Sequence, residues 1–327
     1  MSQTEAVADC ITKLRILSPN ALAHRLGLSV EKLRDIAARA DAFYRPFDTT
    51  SRQRPFQKKP PRKARHIDCP EGELKAVQRI INRLLLQPIL FPPHVCGAVP
   101  SRSILDNASR HLGASTLVTI DIRKCFPSIS NKQIYHTWAD ALGCSARVAA
   151  LLTRLTTFER HLPQGAPTSP SLANVFIWSI DGPIRAECAR LGIAYSTWID
   201  DLAFSGDRSR EIIQFAIKLL ASHKLAVSRG KIKVMGPRAT KLLTGTRLGR
   251  DRIRAPKDLK SRVRSGLHKF ELRQPLPRSV EQYLRSLGAQ MKHIQRLCPA
   301  DVRSFASFSA FAAKSPEEPP PATEETS

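Results

Sequence analysis

Tyr195-Ser196-Thr197-Trp198-Ile199-Asp200-Asp201-Leu202-Ala203-Phe204-Ser205-Gly206 reads as a strand that runs into two acids and resumes beyond them. β-Branched and aromatic residues favour extended backbone and aspartates favour turns, so the stretch predicts a hairpin with its carboxylates at the tip. Alone, an Asp-Asp pair in a turn is ordinary turn chemistry. A second apolar strand, Leu117-Val118-Thr119-Ile120, ends on Asp121. If the two strands are neighbours in one antiparallel sheet, three carboxylates converge with no basic residue in the local motif. Such a cluster repels itself unless cations sit in it. Hard oxygen donors suit Mg²⁺ at about 2.0–2.1 Å. Two such ions about 3.5–4 Å apart activate an attacking hydroxyl and stabilise a leaving pyrophosphate, which is nucleotidyl transfer.

Outward from these acids the pattern alternates helix and strand. Helices are predicted at about 131–141 and 146–158, followed by a turn-rich run from Leu162 to Pro170 and a helix through Ala173-Asn174-Val175-Phe176. Upstream, Leu74, Val77, Ile80, Ile81, Leu84 and Leu85 recur at helical spacing over 73–86, with Pro92-Pro93 beyond. A further helix runs from near Ser103 towards His111, with Gly113 placed to end it. In the first fifty residues, Ala21 to Ser29 and then Val30-Glu31-Lys32-Leu33 read as short helices with a Gly27 turn and a Ser29 cap. They predict a helical cap on a larger fold, with a DNA-reading helix-turn-helix as the alternative. Arg45 to Arg65 holds eight basic residues, one acid and four prolines, which predicts an exposed basic loop or hairpin. The fold class is mixed α+β.

Of 327 residues, 42% are hydrophobic, enough for a real core in two or three subdomains and too many for wholesale disorder. Lys and Arg number 52 against 28 Asp and Glu, a formal charge of +24, and nucleic acid is the commonest partner of so basic a protein. Residues 247–303 carry 15 Lys and Arg against 5 Asp and Glu, spread over helices in the manner of a surface that lines a phosphate backbone. Pro- and Glu-rich 315–327 predicts a disordered acidic tail. No apolar run approaches about 18 residues, and Met1-Ser2-Gln3-Thr4-Glu5 lacks a signal peptide's basic start, so the reading is cytoplasmic with no membrane partner. The seven cysteines form no CxxC pair, which speaks against a disulfide framework and a zinc ribbon.

Three motifs together resemble reverse transcriptases, specifically the bacterial retron type. Asp121-Ile122-Arg123-Lys124-Cys125-Phe126-Pro127-Ser128-Ile129 is similar to the family's first palm motif. Leu162-Pro163-Gln164-Gly165-Ala166-Pro167-Thr168-Ser169-Pro170, continuing to Ala173-Asn174, resembles its second almost letter for letter. Trp198-Ile199-Asp200-Asp201 resembles the Tyr-x-Asp-Asp box. Asn107-Ala108-Ser109-Arg110-His111 and Leu243-Thr244-Gly245 resemble two elements that retron enzymes carry, so Asn107, His111, Thr244 and Gly245 are the candidate retron-specific, RNA-related residues. Trp198 stands where the family has Tyr, which bears on primer positioning and fidelity more than on metal binding. Cys125 takes a position that is often aromatic, and Leu243 replaces Val.

The resemblance implies a right-hand polymerase with fingers, an antiparallel-sheet palm and a basic helical thumb. The corresponding division is an N-terminal helical extension (1–50), a fingers-like basic region (51–115), a palm with interleaved fingers helices (116–246), a thumb (247–314) and the tail. It further implies that Asp121 and Asp200 hold two Mg²⁺ ions, with Mn²⁺ as the alternative, and that Asp201 completes the cluster. Phe126 is the implied gate against a 2′-hydroxyl. Gln164 and Gly165 form the implied dNTP-contacting turn, Arg65 and Arg102 are candidates for gripping the triphosphate, and Lys231, with Lys233 as its alternative, is the lysine beside pyrophosphate. The implied partners are dNTPs, a structured noncoding RNA and its DNA product, and an effector or toxin protein. Priming from an RNA 2′-hydroxyl and antiphage defence are implied in the same way. Alternatives are an intron-derived or other defence-class reverse transcriptase, for which no maturase or endonuclease extension is seen after Ser327, and a non-catalytic RNA-binding scaffold. A diguanylate-cyclase-like palm lacks its Gly-Gly-acid turn here.

Overall fold

The computed structural model describes residues 13–49, 64–271 and 279–299. The middle of the basic run, at 50–63, and the acidic tail at 315–327 lie outside the described residues. No described helix is long and apolar enough to cross a membrane.

Helix α1 (Pro19–Leu26) starts where the Ser18 hydroxyl accepts from the Ala21 amide at 3.1 Å, and α2 (Val30–Ala38) starts the same way from Ser29 to Lys32 at 3.1 Å. Each serine satisfies an amide that the helix itself leaves unpaired. Leu22 and Leu26 of α1 and Leu33 and Ile36 of α2 join the main core, so these helices do cap a larger fold. Strand β1 (Tyr44–Thr49) then pairs antiparallel with β2 (Arg65–Pro70), in register from Tyr44 with Pro70 to Thr49 with Arg65. The pairing links residues on both sides of position 50. Tyr44 anchors it, with its ring stacked on Phe158 at 4.2 Å and its hydroxyl accepting from Gln78 at 3.0 Å.

Helix α3 (Gly72–Ile81) buries Leu74, Val77 and Ile81, as their spacing predicts, and continues into a wider π turn over Asn82–Leu86 that buries Leu85 and Leu86. Helix α4 (Ile104–Ser109) begins with a reciprocal cap between Ser103 and Asp106. It stops short of the predicted end at Gly113, because the chain tightens until His111 bonds to the Ala108 carbonyl at 3.1 Å.

The palm follows as β3 (Leu117–Asp121), α5 (Cys125–Ser128), α6 (Asn131–His136), α7 (Ala146–Thr156), α8 (Ser169–Ile180), α9 (Gly182–Leu191), β4 (Ala194–Trp198), β5 (Asp201–Ser205), α10 (Ile212–Ser222) and β6 (Lys233–Met235). Its sheet has the order β4-β5-β3-β6, and every pairing is antiparallel. Side chains alternate across such a sheet. Tyr195 and Phe204 stack at 5.1 Å on one face, while Ser196, Ala203 and Ser205 share the other. Helix α8 is apolar on almost every side and is buried from Leu172 to Trp178.

Two units divide the chain, Met1–Thr244 with Leu248–Arg252, and Gly245–Arg247 with Ile253–Ser327. Within the second, α11 (Lys257–Glu271) buries Val263 and Leu267, and α12 (Val280–Leu297) buries Leu287 and Ile294. The Tyr283 hydroxyl donates to the Gly266 carbonyl at 3.0 Å between the two helices.

Candidate active site

The hairpin of β4 and β5 closes in two residues, Ile199 and Asp200, because Trp198 pairs with Asp201. Ile199 sits at φ 57, in the left-handed region. That conformation costs a β-branched residue of order 1–3 kcal/mol and persists only where the surroundings impose it. The surroundings here are the segment His94–Gly97. Its Cys96 amide donates to the Thr197 carbonyl at 2.8 Å, and the Thr197 amide donates to the His94 carbonyl at 2.8 Å. A Cβ on Gly97 would stand 2.8 Å from the Ile199 nitrogen and 2.9 Å from its Cγ1, so only glycine lets this segment close on the tip. The buried Asn174 amide donates to the Gly97 carbonyl at 2.6 Å. The Arg102 guanidinium donates to the carbonyls of Phe91, Pro92 and Val95. Three of the five N–H donors of Arg102 thus hold the loop that braces the hairpin, a role its sequence does not announce.

The three acids meet at one end of the sheet, where β3 stops and β5 begins. Asp121 and Asp201 are register partners, and the Ile122 amide donates to the Asp200 carbonyl at 2.9 Å. Burial raises the Asp200 carboxyl above the usual range, and the Asp121 charge adds to that. Burial likewise pushes Asp201 up to about 6, reinforced by Asp200 and Asp121. Asp200 and Asp201 thus resist ionising, first through burial and then through the negative charge beside them. A cation does reach the cluster from a distant part of the chain. Lys231, in the short turn Arg229–Lys231, places Nζ 2.9 and 3.0 Å from the two Asp121 oxygens. Lys233 on β6 acts on Asp201 by charge alone. Cys125 lies buried close by, its thiol pushed up first by burial and then by Asp200 and Asp121, so it is an inert packing residue.

Among the described residues no three His, Cys, Asp or Glu side chains already stand as a metal-ligand set. The donor chemistry nevertheless fits a divalent cation. Hard carboxyl oxygens share one end of the sheet, two of the carboxyls are raised by burial and then by neighbouring negative charge, and a lysine pairs with the third.

Phe126 follows on α5, half-buried and packed against the core. The Gln164 carbonyl accepts from the Asp68 amide at 2.9 Å. Gly165, at φ 137, has room for no Cβ, which would stand 2.9 Å from Ile67 Cγ2 and 3.0 Å from the Asp68 carbonyl. The glycine is demanded by the crossing of β2, whatever else it contacts. Arg65, exposed on β2, acts electrostatically on Asp200.

Asn107 and His111 are buried, and so do not form the exposed helix face that their i, i+4 spacing allows. Thr244, at φ 43, and Gly245, at φ 80, form the turn after a short strand, β7 (Lys241–Leu243). The motifs do not reveal Gly97 or Ser196, and they include Ser205 only as the end of the stretch that follows the two acids. The two serines leave one faint trace, as small polar residues in otherwise apolar strands.

A profile of the reverse transcriptase (RNA-dependent DNA polymerase) family matches residues 56–248, more than half of the chain and all three acids. The chain belongs to that family. The reverse transcriptase is 29% identical over 244 residues to the retron Ec86 reverse transcriptase of Escherichia coli, covering 74% of each chain. It is 28% identical over 340 residues to the retron Mx162 reverse transcriptase of Myxococcus xanthus, covering 93% of this chain and 68% of that one. These relatives make it a reverse transcriptase of the bacterial retron type and an RNA-directed DNA polymerase. Among solved structures, a foamy viral protease-reverse transcriptase with double-stranded DNA is 15% identical with a TM-score of 0.45, covering 94% of this chain and 46% of that one. The assignment rests on the family profile and not on that likeness.

Proposed function

We propose that this reverse transcriptase copies part of a structured noncoding RNA into single-stranded DNA, primed from a 2′-hydroxyl of that RNA, and that it serves antiphage defence with an effector or toxin partner. The observation that carries the chemical part is the register pairing of Asp121 with Asp201, with Asp200 at the turn between β4 and β5. In this reading Asp121 and Asp200 hold divalent ions and Asp201 completes the cluster. Those ions, when bound, would ionise the attacking hydroxyl and offset charge on the leaving pyrophosphate. Lys231, whose ammonium lies 2.9 Å from an Asp121 oxygen, is the cation at hand for the leaving pyrophosphate. Its ammonium there balances charge or supplies a proton, and Lys233 supports the same end of the sheet.

Phe126 sits under the incoming sugar, where its ring excludes a 2′-hydroxyl. Gln164 and Gly165 contact the dNTP through their turn, and Arg65 grips its phosphates, because a guanidinium fork fits phosphate oxygens. Thr244 and Gly245 present the RNA-reading turn, with Asn107 and His111 behind it. The cytoplasm is the compartment this reading requires.

The test is to recover nucleic acid bound to the protein expressed from its native locus, beside an Asp200→Asn/Asp201→Asn version, and to treat it with DNase, RNase and a debranching enzyme. DNA present only with intact acids, and shortened by debranching, is the expected result. Linear DNA that still needs the acids would remove the 2′-priming, and RNA recovered equally from both proteins would favour the scaffold.

A further inference from the structure

The polar residues behind the acid-bearing hairpin form an ordered chain. Ser196 and Ser205 lie on one face of the β4–β5 pair, because Ser196 faces Ala203 and Ser205 faces Ala194 in register. His111 spans them, with Nδ1 2.7 Å from Ser205 Oγ and Nε2 2.7 Å from Ser196 Oγ. Ser196 Oγ in turn stands 2.6 Å from Asn107 Oδ1, and Asn107 Nδ2 stands 3.2 Å from Thr244 Oγ1. Asn107, His111 and Ser196 are each at most 1% exposed, and Ser205 is 3% exposed.

Donor counting gives this chain a direction. Asn107 Oδ1 only accepts, so the Ser196 hydroxyl must give it its single hydrogen. Ser196 Oγ can then only accept from the ring, so His111 carries its proton on Nε2. In a neutral imidazole the other nitrogen accepts, so the Ser205 hydroxyl donates to Nδ1. Hydrogens therefore run one way from Ser205 through His111, Ser196 and Asn107 to Thr244. Burial holds the ring neutral, with its pKa pushed down to about 4. A chain of this kind reinforces itself, because each bond polarises the next.

We propose that His111 is a positioning residue for polymerisation: it locks the two serines that flank the acid-bearing turn and, through Asn107, ties that hairpin to Thr244 so that the acids keep their place against the sheet. Ser196 lies two residues before Trp198 and Ser205 four residues after Asp201, so the chain grips both strands of the hairpin below its tip. The inference concerns DNA synthesis itself and is independent of how synthesis is primed.

Steady-state incorporation on an RNA template with an annealed DNA primer tests it, using the full chain and His111→Gln, Ser196→Ala, Ser205→Ala and the His111→Gln/Ser196→Ala pair. Outer partners of a catalytic site commonly contribute about 10–100-fold. The expected result is a kcat lowered on that scale in each single variant, a KM for dNTP changed less than about three-fold, and a double variant no worse than the poorer single. Asn107→Leu, which can neither accept from Ser196 nor donate to Thr244, is expected to lower kcat in the same way. If His111→Gln does not fold, Ser205→Ala at the end of the chain carries the same test. A lowered melting temperature with kcat per folded molecule unchanged would reduce the chain to packing and overturn the proposal. Losses that simply multiply in the double variant would overturn it too.

Discussion

Asp201 carries its proton to about pH 6 in the fold, against an ordinary value of 3.8. Between roughly pH 4 and 6 the folded state therefore binds more protons than the unfolded one, and stability falls as pH rises through that window. The cost is complete above about 6. A shift of this size, discounted for the solvent that reaches the site, amounts to about 1–2 kcal/mol. Metal-free Asp201→Asn should accordingly melt above the parent at pH 7.5 and together with it near pH 4, as scanning calorimetry in chelator will show. Added Mg²⁺ should raise the parent's melting temperature more than the variant's, because the ion offsets the same repulsion. Asp200→Asn should lower incorporation by more than the ~100-fold of an outer partner, with circular dichroism unchanged.

The hairpin of β4 and β5 depends on elements that are distant in sequence. Its turn holds Ile199 at φ 57, and the strain is imposed by the backbone of Gly97, which Asn174 anchors and whose loop Arg102 clamps. Gly97→Ala sets a methyl 2.8 Å from the Ile199 nitrogen, with backbone and not a flexible side-chain end in its way. Overpacking of this kind costs about 1–3 kcal/mol. Chemical denaturation should report that loss, and incorporation should fall further than stability alone explains, because the displaced atoms adjoin Asp200. Gly165 plays the corresponding part beside β2, whose Ile67 and Asp68 cross it. A substitution there is expected to disturb the β1–β2 hairpin first.

Across the whole molecule the +24 charge sets the scale of nucleic-acid binding. Every phosphate neutralised releases counterions, so affinity for RNA should fall linearly in a plot of log K against log salt, with a slope of about −0.7 to −0.9 per contact. Helix α11 of the second unit presents exposed Lys257 and Arg264. Replacing both by Gln should flatten that slope by about 2, measured as RNA affinity over a salt series. A slope unchanged by the pair would place the phosphate contacts elsewhere in the chain.

Local pattern alone determined the strands that end in acid, the cap at Ser29, the amphipathic face of α3 and the basic character of 247–303. Each depends on neighbours within a few residues, where propensity, spacing and composition act directly. The motif spacing also marks Asp121, Asp200 and Asp201 as one cluster. Tertiary structure decided what depends on residues far apart. The Lys231–Asp121 ion pair spans 110 residues, and the hydrogen-bonded chain from Asn107 to Thr244 spans 137. Arg102 looks from its sequence like any exposed cation, and only the fold turns it inward onto three carbonyls. Asn107 and His111 have the spacing of an exposed helix face, yet the sheet covers them. Burial, desolvation and donor counting operate between surfaces that meet only when the chain has folded, so no local pattern carries them.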